Sequence, residues 1–316
     1  MWRRFGAVQN YVEPFFGSGA VLLARPDPDG NETINDLDGY VANFWRAIAH
    51  DPEATAAHAD HPVNENDLHA RHAWLVAQAE TLRARLEGDP DFYDAKIAGW
   101  WVWGMACWIG SGFCSGNGPW GVVDGQLVHL GNNGQGVNRQ LVHLGNNGRG
   151  VNRKRVHLGD NGQGVHRKRG DVLSEWFGVL SDRLRRVRVA SGDWSRVCGL
   201  SVTFKHGLTG VFLDPPYADT ASRTRNLYRT DSESVAHDVR VWAIEAGTRE
   251  DMRIALCGYE GEHQMPDSWS THAWSAGEGF GAQANERSGN GKRERIWFSP
   301  ACLSVDQPSL FGEGWA

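Results

Sequence analysis

Four short segments hold residue types whose spacing could do chemistry. The most specific is Phe212-Leu213-Asp214-Pro215-Pro216-Tyr217. Asp214 brings a carboxylate and Tyr217 an aromatic ring. Pro215 and Pro216, with fixed φ and no N–H, keep the chain between them stiff and extended. An amino group on a flat base needs acceptors in its plane and a π-face above it. Asp214, the Pro215 carbonyl and the Tyr217 ring supply both, and a purely structural turn is the plainer alternative.

The second segment is Glu13-Pro14-Phe15-Phe16-Gly17-Ser18-Gly19-Ala20. Two glycines one residue apart, after a strand and before a helix, let the backbone approach a ligand closely. A tight turn would use the same residues. The third is Asn35-Asp36-Leu37-Asp38, where Asp36 could accept from ribose hydroxyls and Asp38 could cap the following helix. The fourth is Ser191-Gly192-Asp193-Trp194. Here Asp193 could accept from an exocyclic amine and the Trp194 indole could cover a purine face. A turn with a satisfied Asp is the common alternative.

The elements that must position these groups alternate between strand and helix. Asn10 to Ala24 reads as a strand, a Gly loop and a helix start. Glu32 to Asn35 reads as a strand, followed by a helix from about Leu37 to Ala49. Val172 to Val187 reads as a helix with an apolar face at Leu173, Trp176, Phe177, Leu180 and Leu184. Val187 to Ser191, Gly210 to Leu213, Arg253 to Cys257 and Arg295 to Phe298 read as strands, and Ser234 to Gly247 as a helix. Such alternation implies a mostly parallel sheet, with ligands at the carboxyl ends of its strands.

Between these parts lies a three-fold repeat of 14 residues, QLVHLGNNGQGVNR, QLVHLGNNGRGVNR and KRVHLGDNGQGVHR, over 126–167. Each unit holds a short apolar strand and an Asn-Gly or Asp-Asn-Gly turn. The repeat accounts for many of the 39 glycines. The recurring His129, His143 and His157 follow from duplication and not from metal ligation. The formal net charge of −6 conceals an uneven distribution. Residues 139–188 contain 12 basic and 4 acidic side chains, a possible footprint for a polyanion. A solvated low-complexity insertion is the competing account.

No run of about 18 apolar residues suggests a membrane span, and no signal peptide is read at the N-terminus. The Trp-rich run around Trp100, Trp101, Trp103 and Trp108 is expected to be core. The five cysteines are odd in number and widely spaced, which disfavours a disulfide scaffold and common zinc patterns and fits a reducing cytoplasm.

The four motifs, in this order, resemble the Dam-like (D12) class of S-adenosylmethionine-dependent DNA adenine-N6 methyltransferases. The resemblance covers residues 10–50 and 171–300. It implies an α/β fold, a Rossmann-like methyltransferase sheet with helices on both faces. It also implies a catalytic domain formed by residues 1–38 and 171–316. Residues 39–170 would be an inserted, mainly helical target-recognition region carrying the repeat. Asp214, Pro215, Pro216 and Tyr217 would be catalytic. Glu13, Phe15, Phe16, Gly17, Gly19, Asp36, Asp193 and Trp194 would hold S-adenosylmethionine. Double-stranded DNA would be the partner, with Arg149, Arg155 and Arg169 as candidate phosphate contacts, no metal, and a bacterial or phage-infected cytoplasm as the setting. Arg253 to Tyr259 would help shape the target-base pocket, and the Arg287 to Arg295 stretch could contact DNA. Members of the class usually begin with a Lys-Trp/Gly-Gly-Lys-type segment over the methionine end of the cofactor, and this chain starts at Met1-Trp2-Arg3-Arg4. Two other readings follow: RNA adenine-N6 methylation, or a DNA-binding protein with impaired catalysis.

Overall fold

The structure, a computed structural model, describes residues 1–108, 113–114, 120–123, 126–129, 169–216, 235–273 and 293–304. It is a mixed α/β fold with a seven-stranded sheet. The chain divides into two compact units, Met1–Asp36 with Asp193–Ala221 and Ser232–Ala316, and Leu37–Gly192 with Ser222–Asp231.

Six strands of the sheet lie in the first unit: β1 (Asn10–Glu13), β2 (Asn31–Asp36), β6 (Thr209–Leu213), β7 (Met252–Tyr259), β8 (Ser270–Ala273) and β9 (Glu294–Phe298). Their order is β2-β1-β6-β7-β9-β8. The pairs β1–β2, β1–β6 and β6–β7 are parallel, while β9 is antiparallel to both β7 and β8. Strands β6 and β7 are mostly apolar, as expected where both faces are covered, whereas β1 and β2 carry several polar residues. Every residue of β6 is buried, and so is every residue of β1. The polar residues in β1 are therefore paired. Asn10 Nδ2 donates to the Val202 carbonyl at 2.8 Å and to Thr209 Oγ1 at 3.1 Å.

Two further elements close this unit. The short helix α1 (Trp2–Phe5) inserts the fully buried Phe5, and Trp2 Nε1 donates to the Val21 carbonyl at 2.8 Å. Arg25 and Glu32 form a buried ion pair at 2.9 Å, and Arg25 Nη2 also donates to the Val8 and Asp29 carbonyls at 2.8 Å. That donor set satisfies a guanidinium that would otherwise be costly to bury.

The second unit is mainly helical: α3 (Gly39–His50), α4 (Pro52–Ala59), α5 (Glu65–Gly88), α6 (Ala95–Cys107) and α7 (Arg169–Leu184). It also contains strand β5 (Val187–Ser191) and an antiparallel hairpin of β3 (Trp120–Val123) and β4 (Gln126–His129). Carboxylate or amide caps start four of the helices: Asp38 accepts from Tyr40 N, Asp51 from Ala54 N, Asn64 from Asn66 N and Asp94 from Ile97 N. The expected cap at Asp38 is thus observed, at 2.8 Å. Helix α5 buries His72, Leu75, Ala79, Leu82 and Leu86, a spacing of three and four that keeps one face inward.

The Trp-rich run is core, as expected. Trp103 is buried, and Trp100, Trp101 and Trp108 pack half-buried against a cluster that includes Tyr40, Leu75 and Ile97. Its glycines serve close packing. A Cβ on Gly99 would lie 2.6 Å from the Thr55 carbonyl oxygen of α4, and one on Gly104 would lie 2.1 Å from the Phe113 ring. Arg46 is buried and holds this unit together through carbonyls. Its Nη1 donates to Leu86 and Asp89 at 3.1 Å and to Phe92 at 3.3 Å, and its Nε to Val189 at 3.4 Å.

One expected core position is corrected. On α7, Phe177, Leu180 and Leu184 are buried, but Trp176 is 56% exposed. Phe177 and Trp176 are neighbours about 100° apart on the helix, so only one of them can centre on the inward stripe. Most of the repeat lies outside the described residues; strand β4 coincides with the start of its first unit. Among the described residues no helix is long and apolar enough to cross a membrane, and no cluster of three metal-ligating side chains occurs.

Candidate active site

Parallel pairing places the carboxyl ends of β1, β2, β6 and β7 on one edge of the first unit. The Gly loop joins β1 to helix α2 (Ala20–Leu23) on that edge. Gly17 and Gly19 both have positive φ, 47° and 69°, conformations that L side chains adopt only at a cost. Gly19 is also the N-cap of α2 and donates its N–H to the Phe16 carbonyl at 2.9 Å. The Phe16 ring is 3% exposed and lies under Gly19, where an added Cβ would come within 2.6 Å of Cζ. Above Gly17 there is open space.

The end of β2 clamps this loop. Phe16 N donates to the Asn35 carbonyl at 3.0 Å, and Asn35 Nδ2 donates to the Pro14 carbonyl at 3.1 Å. Gly17 N donates to Asp36 Oδ2 at 2.9 Å. The Asp36 carboxylate therefore sits beside the loop, as a ribose acceptor would have to, and also fixes the loop backbone. The position of Asn35 within the motif gave no hint that its side chain would reach Pro14.

Glu13 closes β1 and is 2% exposed. It accepts from the Tyr11 hydroxyl at 2.8 Å, since residues two apart in a strand share a face. Burial pushes its carboxyl up to about 8, Tyr11's hydrogen bond lowers it, and the nearby negative charge of Asp214 adds to the rise. Tyr11 is raised well above the usual phenol range, chiefly by burial. Tyr11 was not singled out in the sequence; its alternation with Glu13 is the signal that could have found it.

The remaining sequence-derived residues fall as follows. Trp194 stacks on Phe15 at 6.4 Å and 28°, and meets Trp242 edge-on at 6.2 Å. Trp242 belongs to helix α9 (Val235–Ala246) and was not anticipated as a partner. Asp193 is exposed and its Oδ1 accepts from Ser195 N at 3.0 Å, at the start of the short helix α8 (Ser195–Cys198). Asp214 is exposed immediately beyond β6, with Pro215 buried and Pro216 half-buried behind it. Tyr217, Arg149 and Arg155 lie outside the described residues, as does the side chain of Arg169, the first residue of α7. Phe16, Gly17, Gly19 and Asp36 are thus linked by direct contacts, Phe15 and Trp194 form a separate stacked pair, and Asp214 is coupled to Glu13 by charge.

A family model described as D12 class N6 adenine-specific DNA methyltransferase matches residues 4–83. Residues 4–83 are thus similar to the D12 class. The matched D12 segment runs from α1 into α5 and includes the Gly loop, Asn35 and Asp36. The D12 description is of an enzyme acting on adenine N6 in DNA, which supports DNA methyltransferase activity for this chain. D12 methyltransferases generally use S-adenosylmethionine, and the clamped, open-topped Gly loop is a backbone that a ligand can approach. No curated protein matches the chain.

Proposed function

We propose that the protein transfers a methyl group from S-adenosylmethionine to N6 of an adenine flipped out of double-stranded DNA. The observation that carries this reading is the placement of Asp214-Pro215-Pro216 at the carboxyl end of β6, one strand from the Gly loop at the end of β1. The D12 match over the Gly loop supports it.

The cofactor site fits the residues present. Gly17 has open space above it, Asp36 lies against the loop, and Trp194 offers an indole face braced by Phe15 and Trp242. Asp193 keeps Oδ2 for an exocyclic amine, because Oδ1 is taken by Ser195. When bound, S-adenosylmethionine supplies an activated methyl on a sulfonium. The chain's own work is then to bind, orient and stabilise charge.

Flipping the adenine costs a few kcal/mol, and stacking on Tyr217 would return about 1–3 kcal/mol. Asp214 and the Pro215 carbonyl accept the two N6 hydrogens, which moves N6 toward a tetrahedral, nucleophilic geometry. The stiff Pro215-Pro216 pair holds both acceptors in place. Basic side chains in 139–188, among them Arg149, Arg155 and Arg169, would neutralise phosphates, positioning the duplex without specifying sequence.

Transfer of tritium from labelled S-adenosylmethionine to duplex DNA, followed by nucleoside analysis, tests the reading. Wild type should yield N6-methyladenine in duplex DNA. Asp214→Ala should lower transfer by at least about a hundredfold with an unchanged circular dichroism spectrum. Retained turnover in that variant, or label in RNA alone, would overturn it.

A further inference from the structure

Trp242 lies on helix α9 and belongs to none of the four motifs. The helix buries Ala236, Val239, Ala243 and Ala246, a spacing of three and four that forms one stripe, and it packs against β7. Three of those four side chains are methyl groups without rotamers, so the stripe seats the helix on the sheet at little entropic cost. Trp242 is the chain neighbour of Ala243, about 100° round the helix, and so projects from the flank of the stripe. It is half-buried.

Trp194 stands on a weaker footing. It is the N-cap of α8, a helix of four residues, and lies two residues after Gly192, whose φ is 125°. One turn of helix is too short to be stable by itself. The Trp194 carbonyl accepts from Val197 N at 3.2 Å, which fixes the backbone but not the side chain. Among the described residues, the indole makes its ring contacts with Phe15 and Trp242.

Both contacts come from well-held elements. Phe15 lies between Pro14 and Phe16, and both of these are tied to Asn35, at 3.1 Å and 3.0 Å. Its ring is near-parallel to the indole, at 28° and 6.4 Å between centroids. That distance is close to the upper end of aromatic contact, so Phe15 overlaps the rim of the indole and not the whole face. Trp194 is half-buried, which leaves face area for another flat ring. Trp242 meets the indole edge-on, at 74° and 6.2 Å. With Trp242 removed, the indole would keep the Phe15 contact alone and could turn about its side-chain torsions.

We propose that Trp242 is a positioning residue for the adenine ring of the cofactor, holding the Trp194 indole at the angle from which it covers the purine. Its action runs through Trp194. An indole that is already held loses less rotamer freedom when a purine stacks on it, so binding is tighter. The proposal rests on the reading of the protein as an S-adenosylmethionine-dependent methyltransferase with Trp194 at the cofactor adenine.

The test is calorimetric titration of the full chain with S-adenosylmethionine and with S-adenosylhomocysteine, which carries the same adenosine and has no methyl to transfer. Trp242→Ala should raise both dissociation constants about two- to tenfold, the cost of immobilising an indole that is no longer held. Trp242→Phe keeps a ring edge and should recover most of that loss. Trp194→Ala removes the stacking surface and should weaken binding about five- to a hundredfold. On that background Trp242→Ala should add no further loss, because its effect runs through the indole. A merely structural role would lower the urea midpoint and leave both the dissociation constants and this coupling unmoved. Wild-type affinity in Trp242→Ala, or the same loss repeated on the Trp194→Ala background, overturns the proposal. If Trp242→Ala does not fold, Trp242→Leu decides by the same two results. An insensitive Trp242 beside a sensitive Trp194 sinks the proposal alone. No binding by wild type at millimolar cofactor, or wild-type affinity in Trp194→Ala, sinks the cofactor-site reading and the proposal with it.

Discussion

Substituting alanine at Gly17 and at Gly19 should give two different defects, although both residues have positive φ. The left-handed conformation costs an L residue about 1–2 kcal/mol. At Gly17, with φ 47° and nothing within 4 Å of an added Cβ, that is the whole cost to stability. At Gly19, with φ 69°, the Cβ would meet Phe16 Cζ at 2.6 Å and Cε1 at 3.1 Å. Phe16 is 3% exposed and cannot swing into solvent without leaving a hole. Overpacking of this kind adds about 1–3 kcal/mol. Gly19→Ala should therefore lose about 2–5 kcal/mol against about 1–2 for Gly17→Ala.

Urea unfolding with a constant m-value reads both losses directly. The Phe16→Leu background isolates the contact. A shorter side chain removes the clash, so Gly19→Ala should cost less there, with a coupling of about 1–3 kcal/mol. Calorimetry with S-adenosylmethionine should rank the single variants the other way. The Gly17 methyl projects into the open space above the loop and would obstruct the cofactor more than it disturbs the fold. Equal unfolding midpoints for the two variants, or additive effects on the Phe16→Leu background, would refute the packing argument.

Three further outcomes follow from the structure. Glu13→Gln should change the pH dependence of stability. With a folded value of about 8 against an ordinary 4.5, Glu13 holds its proton more tightly when folded, so wild type loses stability as pH rises through this window. Urea midpoints from pH 5 to 9 should show the variant gaining on wild type as pH rises; parallel curves would count against a buried neutral acid. His72 behaves oppositely: it is buried and stacked on Trp108 at 4.8 Å, and burial pulls it down to about 4 from 6.5. Wild type should therefore lose stability on acidification between those values, and His72→Phe should soften that loss while remaining as stable at neutral pH; an unchanged acid limb by thermal melting would contradict this. Removing residues 130–167 deletes six basic side chains and one acidic one while sparing β4, so duplex binding should weaken and its salt dependence flatten if the repeat grips phosphate.

Strand β6 was legible because it is a short apolar run ending in turn residues, Gly210 to Leu213 before Asp214-Pro215. The cap at Asp38 was legible because capping is local, a side chain reaching a backbone N–H two residues on. What was not legible depends on partners far along the chain. The raised carboxyl of Glu13 comes chiefly from burial of β1 between its neighbours, with Asp214 of the β6 end adding to it, and no local pattern states that pairing. The Asn35 clamp on Pro14 joins residues 21 apart. The 24-residue helix α5 was not singled out, because its buried residues are spaced among many charged ones and its apolar stripe is narrow. Trp176 was misplaced because periodicity cannot decide which of two adjacent aromatics points inward.

The edge that carries the site bears four carboxyl groups, Glu13, Asp36, Asp193 and Asp214, and their environments divide the work. Two like charges close together push one proton on, and the buried member is the one that takes it. Glu13 is 2% exposed, and burial is the main cause that raises its carboxyl to about 8, while Asp214 is exposed. In the proposed reaction Asp214 is the side chain that would accept from the adenine amine. The Tyr11 hydroxyl donates to Glu13 and favours its charged form, and burial outweighs that donation. Asp36 and Asp193 are each held through one oxygen by a backbone N–H, Gly17 and Ser195 respectively. The same four acidic residues that would repel one another as bare charges thus form a graded edge, one neutral and buried, two oriented, and one exposed at the proposed point of transfer.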